Sequence, residues 1–259
     1  MNYAEFQEIV DASRQVVFRE TFDRHRATIR VKKEATAIKN LAKIFDAVLE
    51  IANRKGFAAM SMRDLSSESG LSMGALYSYF SSKDELLEML QNHGRTIATR
   101  IMDEMMSAER DPAERLRIAI KTHLYLSEAM QSWFYFSYME AKNLSKAERD
   151  KAIASELHTE RVLEDLLREG GETGVFLPRD YRLAASVMKA MLQDWYLKRG
   201  KYAMRMISVD RYADFVLEFV ESFVLGNEVR GTAGASSRQS RKNDLPIGPL
   251  RPRRNASTE

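Results

Sequence analysis

Hydrophobic positions recur at helical spacing along most of the chain. Between Thr36 and Lys55, residues Ile38, Leu41, Ile44, Phe45, Val48, Leu49 and Ala52 follow the i, i+3, i+4, i+7 pattern. They predict an amphipathic helix that stops at Gly56, where a glycine takes positive φ at little cost. Upstream, residues 4–30 carry Phe6, Ile9, Val10, Val17 and Phe22 partly on one side and predict another helix. Alternation of Val, Ile and Thr at period two is nearly absent, and four of the five prolines lie beyond residue 177, so the chain reads as all-α. Later helix starts are marked by side chains that can hold free backbone amides. Ser82-Lys83-Asp84-Glu85 and Ser145-Lys146-Ala147-Glu148 have the capping-box pattern, and Asp111 precedes a first-turn proline. Asp180 and Ser208 predict caps for two final apolar helices, near 180–203 and 208–225, with the glycine-rich stretch 170–174 as a loop before them. After Leu225 the chain turns rich in Gly, Ser, Pro and Arg and poor in apolar residues, which predicts a disordered tail.

The pattern tightens between Ser61 and Leu87. Ser61 predicts the cap of a short helix with Met62 and Leu65 inward, Gly70-Leu71 a tight turn, and Ser72 the cap of a second helix from Met73 to about Tyr79. Two short helices joined by a glycine-containing turn form a helix-turn-helix, whose second helix enters the DNA major groove. With Leu76 and Phe80 assigned to the core, Ser72, Met73, Ala75, Tyr77, Ser78 and Tyr79 are expected to project outward. On this reading Tyr77 and Tyr79 contact DNA, whereas Phe80 packs.

Charge sharpens the picture through its placement. The net charge is only +3, but residues 24–43 carry seven Arg and Lys against Glu34 alone, and residues 227–259 carry seven against three acids. Arg30, Lys32 and Lys33 admit two readings: an arm reaching the adjacent minor groove, or a solvated charged face. The absence of cysteine excludes disulfides, thiolate metal sites and cysteine nucleophiles. No apolar run has the length of a membrane span and the N-terminus is not signal-like, so a cytoplasmic protein is expected. The four histidines, at 25, 93, 123 and 158, have no metal-ligand spacing, and Gly170-Gly171 with Gly174 follows a helix rather than a strand. Neither a cofactor nor a catalytic constellation is expected.

Gly56-Phe57, Ser61-Met62-Arg63-Asp64-Leu65, Gly70-Leu71-Ser72-Met73-Gly74-Ala75-Leu76-Tyr77 and Tyr79-Phe80-Ser81-Ser82-Lys83-Asp84-Glu85-Leu86-Leu87 together resemble the TetR/AcrR family of transcriptional regulators. The resemblance covers about residues 41–90. It implies a three-helix DNA-binding domain joined through a long fourth helix to a helical ligand-binding and dimerisation domain. The expected division is an N-terminal extension over 1–35, a DNA-binding domain over 36–82, a ligand-binding and dimerisation domain over 83–226, and a basic tail over 227–259. Carried onto this chain, the resemblance implies phosphate contacts at Ser61 and Ser72 and base-edge positions at Ala75 and Ser78. It also implies a phosphate clamp at Lys83. Met73 departs from the basic or hydroxyl residue often found there, which removes a polar contact and shifts specificity towards apolar contacts, water and DNA shape. The extension is a second departure.

In the C-terminal half, residues 124–139 hold six aromatics, and Met188, Met191, Leu192, Trp195 and Tyr196 form a second cluster. They suit either ordinary bundle core or an adaptable apolar cavity. By resemblance, an inducer pocket is expected among Tyr125, Trp133, Phe134, Tyr138, Met188 and Trp195, for an apolar ligand such as an acyl thioester. His123 is assigned to the bundle, with a ligand hydrogen bond as the other reading. Wide apolar stripes on the last two helices, through Val187 and Met191 and through Phe215, Phe219 and Phe223, predict a homodimer on a palindromic double-stranded DNA operator. The other reading is a DNA-binding protein without an inducer, regulated through a protein partner.

Overall fold

The computed structural model describes residues 1–107, 109–141 and 146–225. Within them the chain forms eleven helices: α1 (Tyr3–Arg24), α2 (Glu34–Lys55), α3 (Met62–Ser69), α4 (Met73–Leu76), α5 (Lys83–Ser107), α6 (Pro112–Ala129), α7 (Gln131–Glu140), α8 (Lys146–Glu172), α9 (Tyr181–Leu197), α10 (Arg199–Met204) and α11 (Val209–Val224). No strand occurs among the described residues, as the periodicity predicts. The Ser145 cap and the 227–259 tail lie outside the described residues.

The caps form as their spacing dictates. Ser61, Ser72, Asp111, Asp180 and Ser208 each accept a hydrogen bond from the amide three residues on. Ser82 Oγ accepts from the Glu85 amide at 3.1 Å, while the Glu85 carboxylate takes the Ser81 amide at 2.7 Å rather than that of Ser82. One predicted continuity breaks, since the penultimate helix divides at Lys198 into α9 and α10, and the aromatic run 124–139 falls on two helices, α6 and α7, that divide at Met130. The predicted 170–174 loop is corrected as well, because α8 continues through both glycines to Glu172. They are glycines for want of room: a Cβ at Gly170 would lie 2.0 Å from the Phe176 ring, and one at Gly171 would lie 1.9 Å from the Tyr181 hydroxyl.

The N-terminal segment is a structural helix. α1 lies against α2, α5 and α6 and buries Phe6, Val10, Val17, Phe18 and Phe22. Its start is tied to the far end of the chain, since the Tyr3 amide and the Tyr125 hydroxyl both donate to Asp210 Oδ1, at 3.1 and 2.5 Å. Further along, Arg100 from α5 grips the Glu20 carboxylate at 2.7 and 2.8 Å. α1 therefore joins the three-helix unit of α2–α4 to the larger bundle of α5–α11. Truncating the fully buried Phe6 to Ala should cost about 3–5 kcal/mol; a melting temperature within a degree or two of the parent would contradict this placement.

Candidate DNA interface and ligand cavity

The helix-turn-helix is built from local backbone chemistry. Ser61 and Asp64 form a reciprocal capping box at the start of α3, and Lys55 pairs with Asp64 at 2.8 Å. The bonds from Lys55 and Ser61 hold the Asp64 carboxyl well below the usual range. α3 stops at Gly70, whose φ of +68° and ψ of +18° are left-handed and favour glycine. Leu71 packs half-buried at the corner, and its carbonyl accepts from Ser66 Oγ at 2.6 Å. Ser72 then caps α4, leaving Met73 37% and Tyr77 47% exposed at the tip. Ser61 and Ser72 are exposed, and Ala75 is half-buried beside them. Arg63, which sequence reasoning passed over, is also exposed on α3.

Three expectations at this tip are corrected. Tyr79 does not face outward: it is fully buried, and its hydroxyl accepts from Asn40 Nδ2 of α2 at 2.8 Å. The backbone explains the inversion. Beyond α4 the chain closes i→i+3 bonds, Ser78 to Ala75 and Tyr79 to Leu76, so Tyr79 stacks over the inward Leu76. Ser78 is half-buried, and its hydroxyl donates to the Ala75 carbonyl at 2.5 Å rather than standing free for a base. Lys83 does not wait for a phosphate. Its ammonium donates to the carbonyls of Phe57, Ala58 and Met60 at 3.0, 3.2 and 2.7 Å and lies 4.9 Å above the Phe57 ring. All three of its donors are thus spent on the α2–α3 connection.

The basic segment before α2 is positioned by the same motif. The Arg30 amide donates to the Ser78 carbonyl at 2.8 Å, and Ile29 is buried beneath it. Arg26, Arg30, Lys32 and Lys33 are exposed, so their charges stand beside the end of the recognition helix.

Helices α5–α9 border a partly open cavity of about 830 Å³. Of the expected ligand residues, Trp133, Phe134 and Tyr138 of α7 line it. Tyr125, Met188 and Trp195 do not; all three are buried in bundle core, which corrects that part of the expectation. Tyr125 turns towards Tyr3 and Phe6 of α1, and Trp195 stacks on Tyr202 while its Nε1 donates to Glu128 at 3.0 Å. Trp133 lies flat on α5, where a Cβ at Gly94 would sit 2.1 Å from the indole. His123 and Lys189 also line the cavity, and Lys189 was not anticipated. Its register carried a signal: Ala185, Lys189, Leu192 and Tyr196 fall on one buried face of α9.

α7 faces two ways. While Trp133, Phe134 and Tyr138 meet the cavity, its other side holds the DNA-binding unit. The Phe57 amide donates to Glu140 Oε1 at 3.0 Å, Asn53 Nδ2 donates to the Ser132 carbonyl at 2.9 Å, and the Phe57 and Phe136 rings lie edge to face at 6.1 Å.

On the outer surface, α9 and α11 run antiparallel. The Tyr212 hydroxyl donates to the Met191 carbonyl at one end, and the Leu177 amide to the Val224 carbonyl at the other. The apolar stripes split by register: Ala184, Met188, Val216 and Val220 are buried, whereas Leu183, Val187, Phe215, Phe219 and Phe223 are exposed.

A helical bundle that carries a helix-turn-helix with a partly open cavity behind it has the layout of a helical DNA-binding regulator. Residues 44–90 match the family described as bacterial regulatory proteins, tetR family, and residues 109–220 match the tetracyclin repressor-like C-terminal domain. The chain belongs to the TetR family of transcriptional regulators. It is 21% identical over 181 residues to the HTH-type transcriptional regulator HbdR of Aromatoleum sp. (strain CIB), covering 70% of this chain and 79% of HbdR. Among solved structures it resembles the TetR family regulator PfmR of Thermus thermophilus, with 28% identity, a TM-score of 0.58, and coverage of 69% and 94%. AibR, crystallised with isovaleryl coenzyme A and operator DNA, shares the fold at 19% identity and a TM-score of 0.61, with coverage of 71% and 97%. Its matched domains and relatives are transcriptional regulators rather than enzymes.

Replacing Lys83 with Met takes the side-chain donor from the Ala58 and Met60 carbonyls, leaves Phe57 only the Met60 amide, and should cost about 1–3 kcal/mol of stability. DNA affinity should fall through a loosened α3, with the slope of log affinity against log salt unchanged. A slope reduced by about 1 would instead make Lys83 a phosphate contact.

Proposed function

We propose that the protein is a ligand-responsive repressor that binds a palindromic operator as a homodimer and leaves it when a small, largely apolar molecule fills the α5–α9 cavity. The observation that carries this reading is the double engagement of α7. Trp133, Phe134 and Tyr138 line the cavity, while Ser132, Phe136 and Glu140 grip the end of α2. A ligand that shifts α7 therefore shifts the DNA-binding unit, provided it binds one arrangement better than the other. AibR supports an acyl group as one ligand to try, since its structure holds isovaleryl coenzyme A together with operator DNA.

On the DNA side, Met73 and Tyr77 meet the major groove and the Ser72 hydroxyl meets a phosphate, with Ala75 against the groove wall; the Ser61 hydroxyl, expected to do the same, instead donates to Asp64 Oδ2 at 2.6 Å. Arg30, Lys32 and Lys33, anchored through the Arg30–Ser78 backbone bond, follow the adjacent backbone or minor groove. The exposed rows Leu183–Val187 and Phe215–Phe219–Phe223 form the dimer face. Five large apolar side chains in two adjoining rows are more than a solvated monomer surface ordinarily carries.

The test begins with an operator obtained by in vitro selection. Tyr77→Ala should weaken binding by roughly 1–3 kcal/mol, while the triple change Arg30→Gln, Lys32→Gln, Lys33→Gln should lower the salt slope by about 2–3. An unchanged slope would return these side chains to a merely solvated face. Phe219→Glu should give a monomer in sedimentation that binds a half-site no worse than the full palindrome. A dimer that survives that change would exclude the α9–α11 face.

A further inference from the structure

The cavity wall is largely apolar, yet a buried ammonium interrupts it. Lys189 is 7% exposed, its Nζ lies 3.1 Å from His123 Nε2, and no carboxylate pairs with it among the described residues. An ammonium only donates, so the imidazole accepts at Nε2 and carries its own proton on Nδ1. Among the described residues that buried Nδ1 meets no acceptor, nor does the buried Nε1 of Trp133. The two rings flank Phe134, His123 at 5.7 Å and Trp133 at 5.1 Å between centroids, so the donors belong to one region of the wall. Burial draws Lys189 down to about 8 and, with the lysine charge beside it, draws His123 well below its ordinary value. At neutral pH the pair is a charged lysine and a neutral histidine. The carboxylates of Glu156 and Glu160 act on the lysine through their charge and partly offset the burial, but their hydrogen bonds go elsewhere, Glu156 accepting from Gln193 Nε2 at 2.6 Å and Glu160 from Ser186 Oγ at 2.5 Å. A buried cation and unpaired buried N–H groups are costly unless an acceptor reaches them.

We propose that the cavity takes an amphipathic monocarboxylate, its carboxylate received by Lys189 where it stands beside His123, and its apolar body lying among Met102, Met106, Leu126 and Val162. This rests on the ligand-responsive reading above and names the chemistry of that ligand. A carboxylate brings a full negative charge and two oxygens to the remaining lysine protons, whereas an ester or thioester carbonyl offers one neutral acceptor.

The experiment titrates the full chain calorimetrically with dodecanoate, methyl dodecanoate, dodecyl phosphate, dodecanoyl coenzyme A, and 2-naphthoate with its methyl ester. At least one carboxylate should bind tenfold or more tighter than its own ester and tighter than the phosphate or the coenzyme A thioester. Lys189→Met should bring acid and ester within about threefold, while its ligand-free melting temperature stays level or rises because the buried charge is gone. Lys189→Arg, which keeps the charge, should retain the preference. Equal binding of acid and ester, a preference that survives Lys189→Met, tighter phosphate or thioester binding, or no binding by either carboxylate would each overturn the proposal. A carboxylate that binds through Lys189 without changing operator affinity supports this assignment while overturning ligand control. An ester that binds as well as its acid and releases DNA does the reverse.

Discussion

Besides the packing of α1 on both, the two halves of the molecule are clasped at a few backbone groups between α2 and α3 that have no helix of their own to join. Lys83 fills the carbonyls of Phe57, Ala58 and Met60, and Glu140 takes the amide of Phe57, so one short connection is held by side chains from α5 and α7. Buried peptide groups must be satisfied, and the connection itself supplies only one such bond, from the Met60 amide to the Phe57 carbonyl at 3.1 Å. The position of α3, and through Gly70 that of the recognition turn, follows from this clasp. So does the direction of any coupling: a displacement of α7 is felt first at Phe57, then at the cap of α3.

The cavity behind that clasp is not a simple oil-filled gap. Apolar packing alone would have placed an aliphatic side chain at position 189, between Ala185 and Leu192 on the buried face of α9. A lysine there carries a desolvation cost that a neighbouring imidazole relieves only in part. Trp133 adds a second tension, an indole laid on Gly94 with its N–H unpartnered. Such unmatched polarity in an otherwise apolar wall is a reason to look for a ligand that completes it. The apolar rows on α9 and α11 are incomplete in the opposite sense, since they expose rings that a second copy would cover.

What could be read in advance divides by the range of the interaction. Caps at Ser61, Ser72, Asp111, Asp180 and Ser208 join groups three residues apart, so their side chains announce them. Gly70 was legible for the same reason. Tyr79 was misread although it too is local, because the stretch closes as i→i+3 turns and places it over Leu76. Lys83, Trp195 and Tyr125 were misassigned for a different cause: their partners lie 23, 67 and 85 residues away and belong to other parts of the fold. Nothing in a neighbouring residue signals such a bond.

The amino-acid sequence by itself therefore determined the helices, their caps, the helix-turn-helix and the inward or outward face of most apolar positions, since these follow from backbone periodicity and hydrogen bonds of short span. Tertiary structure alone decided which aromatic rings border the cavity, that α1 packs against both α2 and the bundle of α5 and α6, and that Lys83 serves backbone carbonyls. It also decided that Lys189 and His123 meet. Each of those outcomes depends on bringing distant helices within about 3–6 Å, a distance set by packing and not encoded at any one position.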